Sequence, residues 1–182
     1  FGKFSQMPDV PQTKALFGDW LRESSFNIFH SRAGKGKSAL LTEMVYAMKT
    51  GGTWLNQKTS DPGAILRVNG DMDMWRIKER MPHLGDMAAL WHICFFDMMA
   101  IKEQLVQICA RYKFIVFDNR ACLFGMKDVN SPESWEAIIE LLRRIAQAGT
   151  TIILVTHSGK GEGNTSSFGS SAQEWLVDTV AA

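Results

Sequence analysis

The sequence predicts an α/β domain in which helices cover both faces of a mostly parallel sheet. Continuous apolar runs of strand length recur along the chain, and segments with the helical period lie between them. The third observation is a glycine-rich loop between the first of these runs and the helix after it. The 182 residues suffice for one domain, expected at residues 26–182 after a lead-in at residues 1–25.

The predicted elements of the first half surround this loop. In order, we expect a short helix at residues 15–21, a strand at 26–29, a helix at 38–48, a polar connection at 54–62 and a strand at 64–68. Gly51 marks the end of the second helix, because glycine tolerates the left-handed backbone of a helix terminus. Asp71 is placed to cap a further helix that runs to about Arg80.

The second half continues the alternation. We expect a strand at residues 90–93, a helix at 98–110, and strands at 114–117, 151–155 and 176–180. The helix before residue 151 has the clearest limits. Ser131 can cap it, Pro132 suits its first turn, and Gly149 stops it.

Composition narrows the class of protein. The chain is 46% hydrophobic and 21% charged, as in soluble globular proteins, and its net charge of +1 gives no global attraction to nucleic acid. Without a membrane-length apolar run or a signal-peptide pattern, we expect a cytoplasmic protein. The three cysteines, Cys94, Cys109 and Cys122, suggest buried thiols rather than a metal site. A chain that begins at Phe1 rather than methionine is expected to be an excised fragment.

The glycine-rich loop predicts a nucleotide phosphate site. Its residues are Ser31, Arg32, Ala33, Gly34, Lys35, Gly36, Lys37, Ser38 and Ala39. Gly34 and Gly36 let the backbone amides turn inward toward phosphate oxygens, and the following helix presents its positive end. Lys37 can reach the outer phosphates, and the Ser38 hydroxyl can bind Mg²⁺. Ser31 replaces the first glycine of the usual pattern, so an ordinary turn is the plainer alternative.

Polar side chains follow two of the buried strands. Asp118 ends the run at residues 114–117, and Thr156 and His157 follow the run at 151–155. Because carboxyl ends of parallel strands face the ligand crevice, Asp118 is expected beside the loop as a Mg²⁺ ligand. The alternative is a carboxylate that only caps the next loop. Thr156 or His157 could bond the terminal phosphate, or His157 could be an ordinary strand-end histidine.

The order of these segments resembles the RecA-like ATPase core, closest to the RepA-type branch related to DnaB replicative helicases. The matching segments are Gly34 to Ser38, Val68 to Met72, Ile115 to Asn119, and Leu154 to Lys160, and the resemblance runs from about residue 19 to residue 180. It implies a three-layer fold, ATP and Mg²⁺ as cofactors, Lys37 as the phosphate lysine, and Ser38 and Asp118 as metal ligands.

The resemblance also implies catalytic roles. Asp71 stands where the family has a water-activating glutamate, His157 matches a phosphate sensor, and Lys160 matches a basic residue that faces a neighbouring subunit. Two departures bear on turnover. Asp71 is shorter than glutamate by about 1.5 Å, and Phe168 replaces an arginine that could stabilise transition-state charge. ATP binding is therefore better supported than fast hydrolysis.

Two loops of such motors hold single-stranded DNA, and they correspond here to residues 119–131 and 158–171. Arg120, Lys127 and Lys160 are the candidate DNA-binding cations, with Phe124 as a stacking group, and a solvated loop surface is the alternative. We therefore expect a DNA helicase or translocase that forms a homo-oligomeric, hexameric ring. The rivals are a slow ATPase switch that regulates a protein partner and, less favoured, a small-molecule kinase.

Overall fold

A computed structural model describes residues 12–82, 85, 87–92, 97–124, 132–157 and 178–181. Its strands are β1 (Ala15–Phe17), β2 (Leu21–Arg22), β3 (Phe26–Ser31), β4 (Thr53–Trp54), β5 (Gln57–Lys58), β6 (Ile65–Asn69), β7 (Ala89–His92), β8 (Phe114–Asp118), β9 (Thr151–His157) and β10 (Thr179–Ala181). Its helices are α1 (Lys37–Thr50), α2 (Met74–Arg80), α3 (Lys102–Cys109), α4 (Arg120–Leu123) and α5 (Pro132–Gln147), with a 3₁₀ turn at Met98–Ile101 before α3.

The central sheet has six strands in the order β10-β3-β9-β8-β6-β7. Every pairing among these strands is parallel. The carboxyl ends of β3, β6, β8 and β9 therefore lie at one edge of the sheet, where the phosphate loop, Asp71, Asp118 and His157 follow or end them. The predicted three-layer α/β fold with a parallel sheet is confirmed, and it is consistent with a RecA-like P-loop NTPase fold.

Each face of the sheet has its own hydrophobic core. Successive strand residues point to opposite faces, so Ile115 and Phe117 pack with α3 and α5, while Phe114 and Val116 pack with α1. Burial on both faces explains why the central strands are continuous apolar runs. Among the cysteines, Cys109 is buried in the first core, and burial raises the pKa of its thiol to about 12.

The expected helix at residues 15–21 is wrong. This segment forms the antiparallel pair β1–β2, and Gly18 turns the chain with a φ of 52°. Leu16, Phe17 and Leu21 are buried in the α1-side core. Tertiary burial of these side chains outweighs the weak helical preference of so short a segment.

Other boundaries also differ from the sequence predictions. The connection at residues 54–62 contains one strand of the small antiparallel pair β4–β5. Helix α2 begins at Met74 with Asp73 at its N-cap, so Asp71 does not cap it. The stop of α1 at Gly51 is confirmed, with a φ of 68° there. Ser131, proposed as the cap of α5, lies outside the described residues.

No helix in the described part of the chain is both long and apolar enough to cross a membrane.

Candidate active site

The phosphate loop joins β3 to α1 and leaves open space for an anion. Gly34 and Gly36 have φ angles of 75° and 80°, and a Cβ added at either would meet no atom within 4 Å. Ser31 is the last residue of β3 and does not have a positive φ. A serine therefore suits this position without backbone strain, and the first glycine of the usual pattern is not needed here.

Lys37 lies folded back onto its own loop. Its Nζ donates to the carbonyl oxygens of Ser31 at 2.8 Å and Arg32 at 3.0 Å, and lies 3.2 Å from His157 Nδ1. Burial lowers the pKa of Lys37, and the carboxylates of Asp118 and Asp71 oppose that shift. These carbonyl contacts hold the ammonium at the mouth of the loop, within the site where a phosphate would replace them.

A cavity of about 250 Å³ connects these groups. It is lined by residues 34–39, Asp71, Met72, Arg80, Met81, Asp118 and His157. The structure thus brings together Lys37, Ser38, Asp71, Asp118 and His157 from four elements of the sequence. Thr156, the alternative to His157, is buried and does not line the cavity.

Ser38 and Asp118 form the candidate metal-binding pair. The Ser38 hydroxyl donates to Asp118 Oδ2 at 2.6 Å, across the gap between α1 and β8. A hydroxyl and a carboxylate are oxygen ligands of the kind that Mg²⁺ prefers. The pair supplies two ligands, so the residues fit a metal whose other positions are filled by phosphate oxygens and water.

A buried arginine that was not predicted from the sequence contacts this pair on its buried side. Arg67 Nη2 donates to Asp118 Oδ2 at 2.9 Å, and the Arg67 side chain is 1% exposed. Burial lowers the pKa of Arg67 and Asp118 opposes the shift, but a guanidinium stays protonated in proteins. The signal in the sequence was a lone charged residue within an apolar strand, Ile65–Asn69.

A chain of polar contacts links Lys37 to Asp71. Beyond the Lys37 contact, His157 Nε2 lies 3.2 Å from Asn119 Nδ2, which in turn donates to Asp71 Oδ2 at 3.1 Å. Asn119 follows Asp118 through a cis peptide bond and caps α4 by accepting from the Cys122 N–H. Burial, then the Lys37 charge, lowers the pKa of His157, while Asp71 and Asp118 oppose the shift.

His157 contacts a side chain with each of its ring nitrogens. The Asn119 amide group faces the Asp71 carboxylate and its oxygen faces the Cys122 N–H, so the amide is a donor toward His157 Nε2. The other ring nitrogen of His157, Nδ1, lies 3.2 Å from Lys37 Nζ. The imidazole thus contacts the phosphate-loop lysine with one nitrogen and Asn119 with the other.

Two expected DNA-contacting groups lie elsewhere. Arg120 is 3% exposed and its guanidinium stacks on Trp135, 3.3 Å from the ring centre. Burial lowers the pKa of Arg120 to about 9. Phe124 is also buried and packs against Phe117. Neither side chain is available to a DNA strand, so both expectations are corrected. The Arg120 side chain is buried because Trp135, on the apolar face of α5, covers it.

Several predicted residues lie outside the described residues. These are Lys127, Lys160 and Phe168. Arg80 is a further residue that the sequence reading missed, and it lines the cavity from the end of α2. Its signal was weak, because a basic residue in the last turn of a helix commonly serves the helix dipole alone.

Comparison with known proteins agrees with this geometry. No curated protein matches the chain closely enough to count as a relative. A family model described as an AAA domain matches residues 5–163, the greater part of the chain. P-loop ATPase domains of this kind bind a nucleotide, usually with Mg²⁺. The chain belongs to the AAA domain family and is a P-loop ATPase domain.

Proposed function

We propose that this domain is a Mg²⁺-dependent ATP hydrolase of the RepA/DnaB type, a motor that acts on single-stranded DNA. The observation that supports the ATPase chemistry best is the 2.6 Å contact between Ser38 and Asp118 at the mouth of the phosphate loop. Lys37 and Asp71 line the same cavity. A phosphate lysine, two metal ligands and a second carboxylate thus share one small space.

The loop residues bind and orient the triphosphate. Residues 34–39 line the cavity beside the N-terminus of α1, where negative charge is favoured. Lys37 exchanges its two carbonyl partners for phosphate oxygens. Mg²⁺, when bound at Ser38 and Asp118, supplies charge neutralisation to the outer phosphates.

Asp71 is the candidate group that orients the attacking water. Its carboxylate lines the cavity and accepts from Asn119. Because Asp71 is shorter than the glutamate of the resembled family, its carboxylate lies farther from the phosphate. The contacts of His157 with both Lys37 and Asn119 support a role in which it transmits phosphate occupancy to Asp71.

The DNA-motor part of the proposal rests on the resemblance to the RepA/DnaB branch. That branch forms homo-oligomeric rings, proposed here to be hexameric, in which loops at the carboxyl edge of the sheet contact single-stranded DNA. Lys127 and Lys160 are the proposed DNA-contacting cations, with Lys160 also facing a neighbour. Ring repetition would strengthen few contacts per subunit through multivalency.

A slow ATPase switch that regulates a protein partner is the second candidate. The observation that favours it is the hydrogen bond that the short Asp71 carboxylate accepts from Asn119 at 3.1 Å, which engages it with a side chain of the protein. Misplacement by about 1 Å can cost a hundredfold in rate. Such an enzyme would bind ATP well and turn over slowly, with or without DNA.

ATP hydrolysis with and without single-stranded DNA tests the proposal. We expect DNA to stimulate turnover of the native chain, and its mass in solution with ATP and Mg²⁺ to be that of an oligomer. Lys37→Ala should lose ATP binding, whereas Lys49→Ala is the matched control, since Lys49 pairs with Asp61 at the far end of α1.

The outcomes separate the candidates. Retained ATP affinity in Lys37→Ala would refute the assignment of the phosphate site. Hydrolysis without stimulation by DNA, and without DNA binding, would reject the helicase and leave the slow switch.

A further inference from the structure

Arg67 joins three groups at the base of the candidate metal site. Beyond Asp118, its Nη1 donates to Thr42 Oγ1 at 2.9 Å and its Nη2 to the Ser38 carbonyl oxygen at 3.2 Å. Thr42 Oγ1 in turn donates to that same carbonyl at 2.6 Å. One guanidinium from β6 therefore fixes both the first turns of α1 and the carboxylate at the end of β8.

The position is otherwise an apolar one. Ile65, two residues earlier on the same strand face, lies in the α1-side core, as does Val116, the register partner of Arg67 on β8. A buried guanidinium is costly unless it is paired with a charge and bonded. The carboxylate of Asp118, which has little contact with solvent, meets that requirement. The arginine and the aspartate thus form one neutral buried unit.

The pairing with Arg67 reduces the negative charge that Asp118 presents to a cation. Its Oδ2 already accepts from Ser38 and from Arg67. The charged residues that line the cavity are the cations Lys35, Lys37 and Arg80 and the anions Asp71 and Asp118, and Arg67 adds a positive charge beneath Asp118. A divalent ion that arrives without phosphate therefore meets no net negative charge, whereas a triphosphate supplies the missing charge.

We propose that Arg67 is a positioning residue that acts as the permanent counter-ion of Asp118, so that the divalent metal enters only together with nucleotide phosphates. The inference rests on the proposed function in one respect, the assignment of the metal to Ser38 and Asp118. It goes beyond it in assigning to Arg67 the control of metal entry.

The test of this role of Arg67 is Mn²⁺ binding to the nucleotide-free full chain. Binding is measured from the electron paramagnetic resonance signal of the Mn²⁺ that stays free. The native chain should bind Mn²⁺ weakly, and Arg67→Met should bind it at least tenfold more tightly. Removing a unit charge about 5 Å from a divalent ion is expected to give roughly that factor even at the dielectric constant of water. Arg67→Met with Asp118→Asn should return to the native weak binding, because the bare carboxylate is gone.

Two further variants guard against a merely structural effect. Arg67→Lys keeps the charge and should keep Mn²⁺ binding weak, even if its stability falls. Arg67→Gln is neutral but can still donate to Asp118, so it provides the same comparison should Arg67→Met fail to fold.

The proposal is overturned if neither neutral variant binds Mn²⁺ more tightly than the native chain. It is also overturned if Asp118→Asn leaves the gained binding intact, since the metal would then lie elsewhere. Mn²⁺-ATP binding by the native chain is the separate check on the proposed function. Its absence rejects the nucleotide site, whereas its presence with unchanged Mn²⁺ binding in the variants rejects only the role of Arg67.

Discussion

Asp71→Glu should raise the rate of ATP hydrolysis. Asp71 lines the cavity beside Lys37 and Asp118, yet its Oδ2 is held by Asn119 at 3.1 Å, and its Oδ1 lies 3.9 Å from the Cys122 sulfur. Both contacts are made by residues at the start of α4. We expect the longer glutamate side chain to extend its carboxylate farther toward the phosphate.

The size of the effect follows from the length of one methylene group. Glutamate extends the carboxylate by about 1.5 Å, and about 1 Å of misplacement can cost a hundredfold in rate. Part of the gain is lost, because the Asn119 contact no longer fixes the new side chain. We therefore expect kcat to rise by about tenfold to a hundredfold, with little change in ATP affinity.

Single-turnover ATP hydrolysis and fluorescent-nucleotide binding, measured on the same variants, check this. Asp73→Glu is the matched control, since Asp73 lies two residues further on at the N-cap of α2 and outside the cavity lining. Asp71→Asn should bind ATP and hydrolyse it more slowly than the native chain. A lower kcat in Asp71→Glu at unchanged ATP affinity, or native turnover in Asp71→Asn, would refute the role of Asp71.

Four further changes test other parts of the structure. The pKa of His157 is lowered below its unfolded value of 6.5. The stability that His157 contributes above that value is therefore lost as the pH falls through the folded pKa. His157→Gln should lose less stability on acidification, measured by urea unfolding between about pH 7.5 and 5. Arg80→Ala should weaken binding of ATP more than of ADP, by about tenfold or more, in a fluorescence titration; equal losses would place Arg80 away from the terminal phosphate. Gly70→Ala should lower unfolding stability by about 1–3 kcal/mol, because an added Cβ would lie 2.8 Å from Leu123; native stability would show that α4 shifts freely. Leu142→Ala, at a fully buried position on α5, should cost about 2–5 kcal/mol in urea unfolding and leave ATP affinity unchanged, and a loss of affinity would contradict the separation of that core from the site.

The parts of the fold that the sequence predicted are those determined by local pattern. Strands β8 and β9 are buried on both faces, so their central residues form unbroken apolar runs, and both strands begin at the predicted residue. Strand β3 also begins at the predicted residue, although Asn27 interrupts its apolar run. Because parallel strands share an edge, the same runs also predicted that Asp118 and His157 would meet the phosphate loop. The β1–β2 pair could not be found this way, since its three-residue and two-residue strands are too short to show a period.

The burial of two arginines could not be predicted from local pattern. The sequence around Arg120 does not distinguish a solvated cation from a buried one, and the apolar strand around Arg67 marks that residue as unusual without indicating its partner. The difference comes from partners far along the chain, Asp118 for Arg67 and Trp135 for Arg120. The energy that keeps each guanidinium inside exists only once the sheet and α5 have brought those partners into contact.

Asn119 connects the candidate site to the ends of three strands of the sheet. Asn119 touches Asp71 beyond the end of β6 and His157 at the end of β9, and it follows directly on the last residue of β8. The close packing of Gly70 against α4 fixes the distance between two of those strand ends. A phosphate that draws Lys37 away from His157 changes one contact of a residue that also contacts Asn119, the residue that joins all three strand ends. We therefore expect the position of the Asp71 carboxylate, and with it the rate of hydrolysis, to depend on the contact between Asp71 and Asn119.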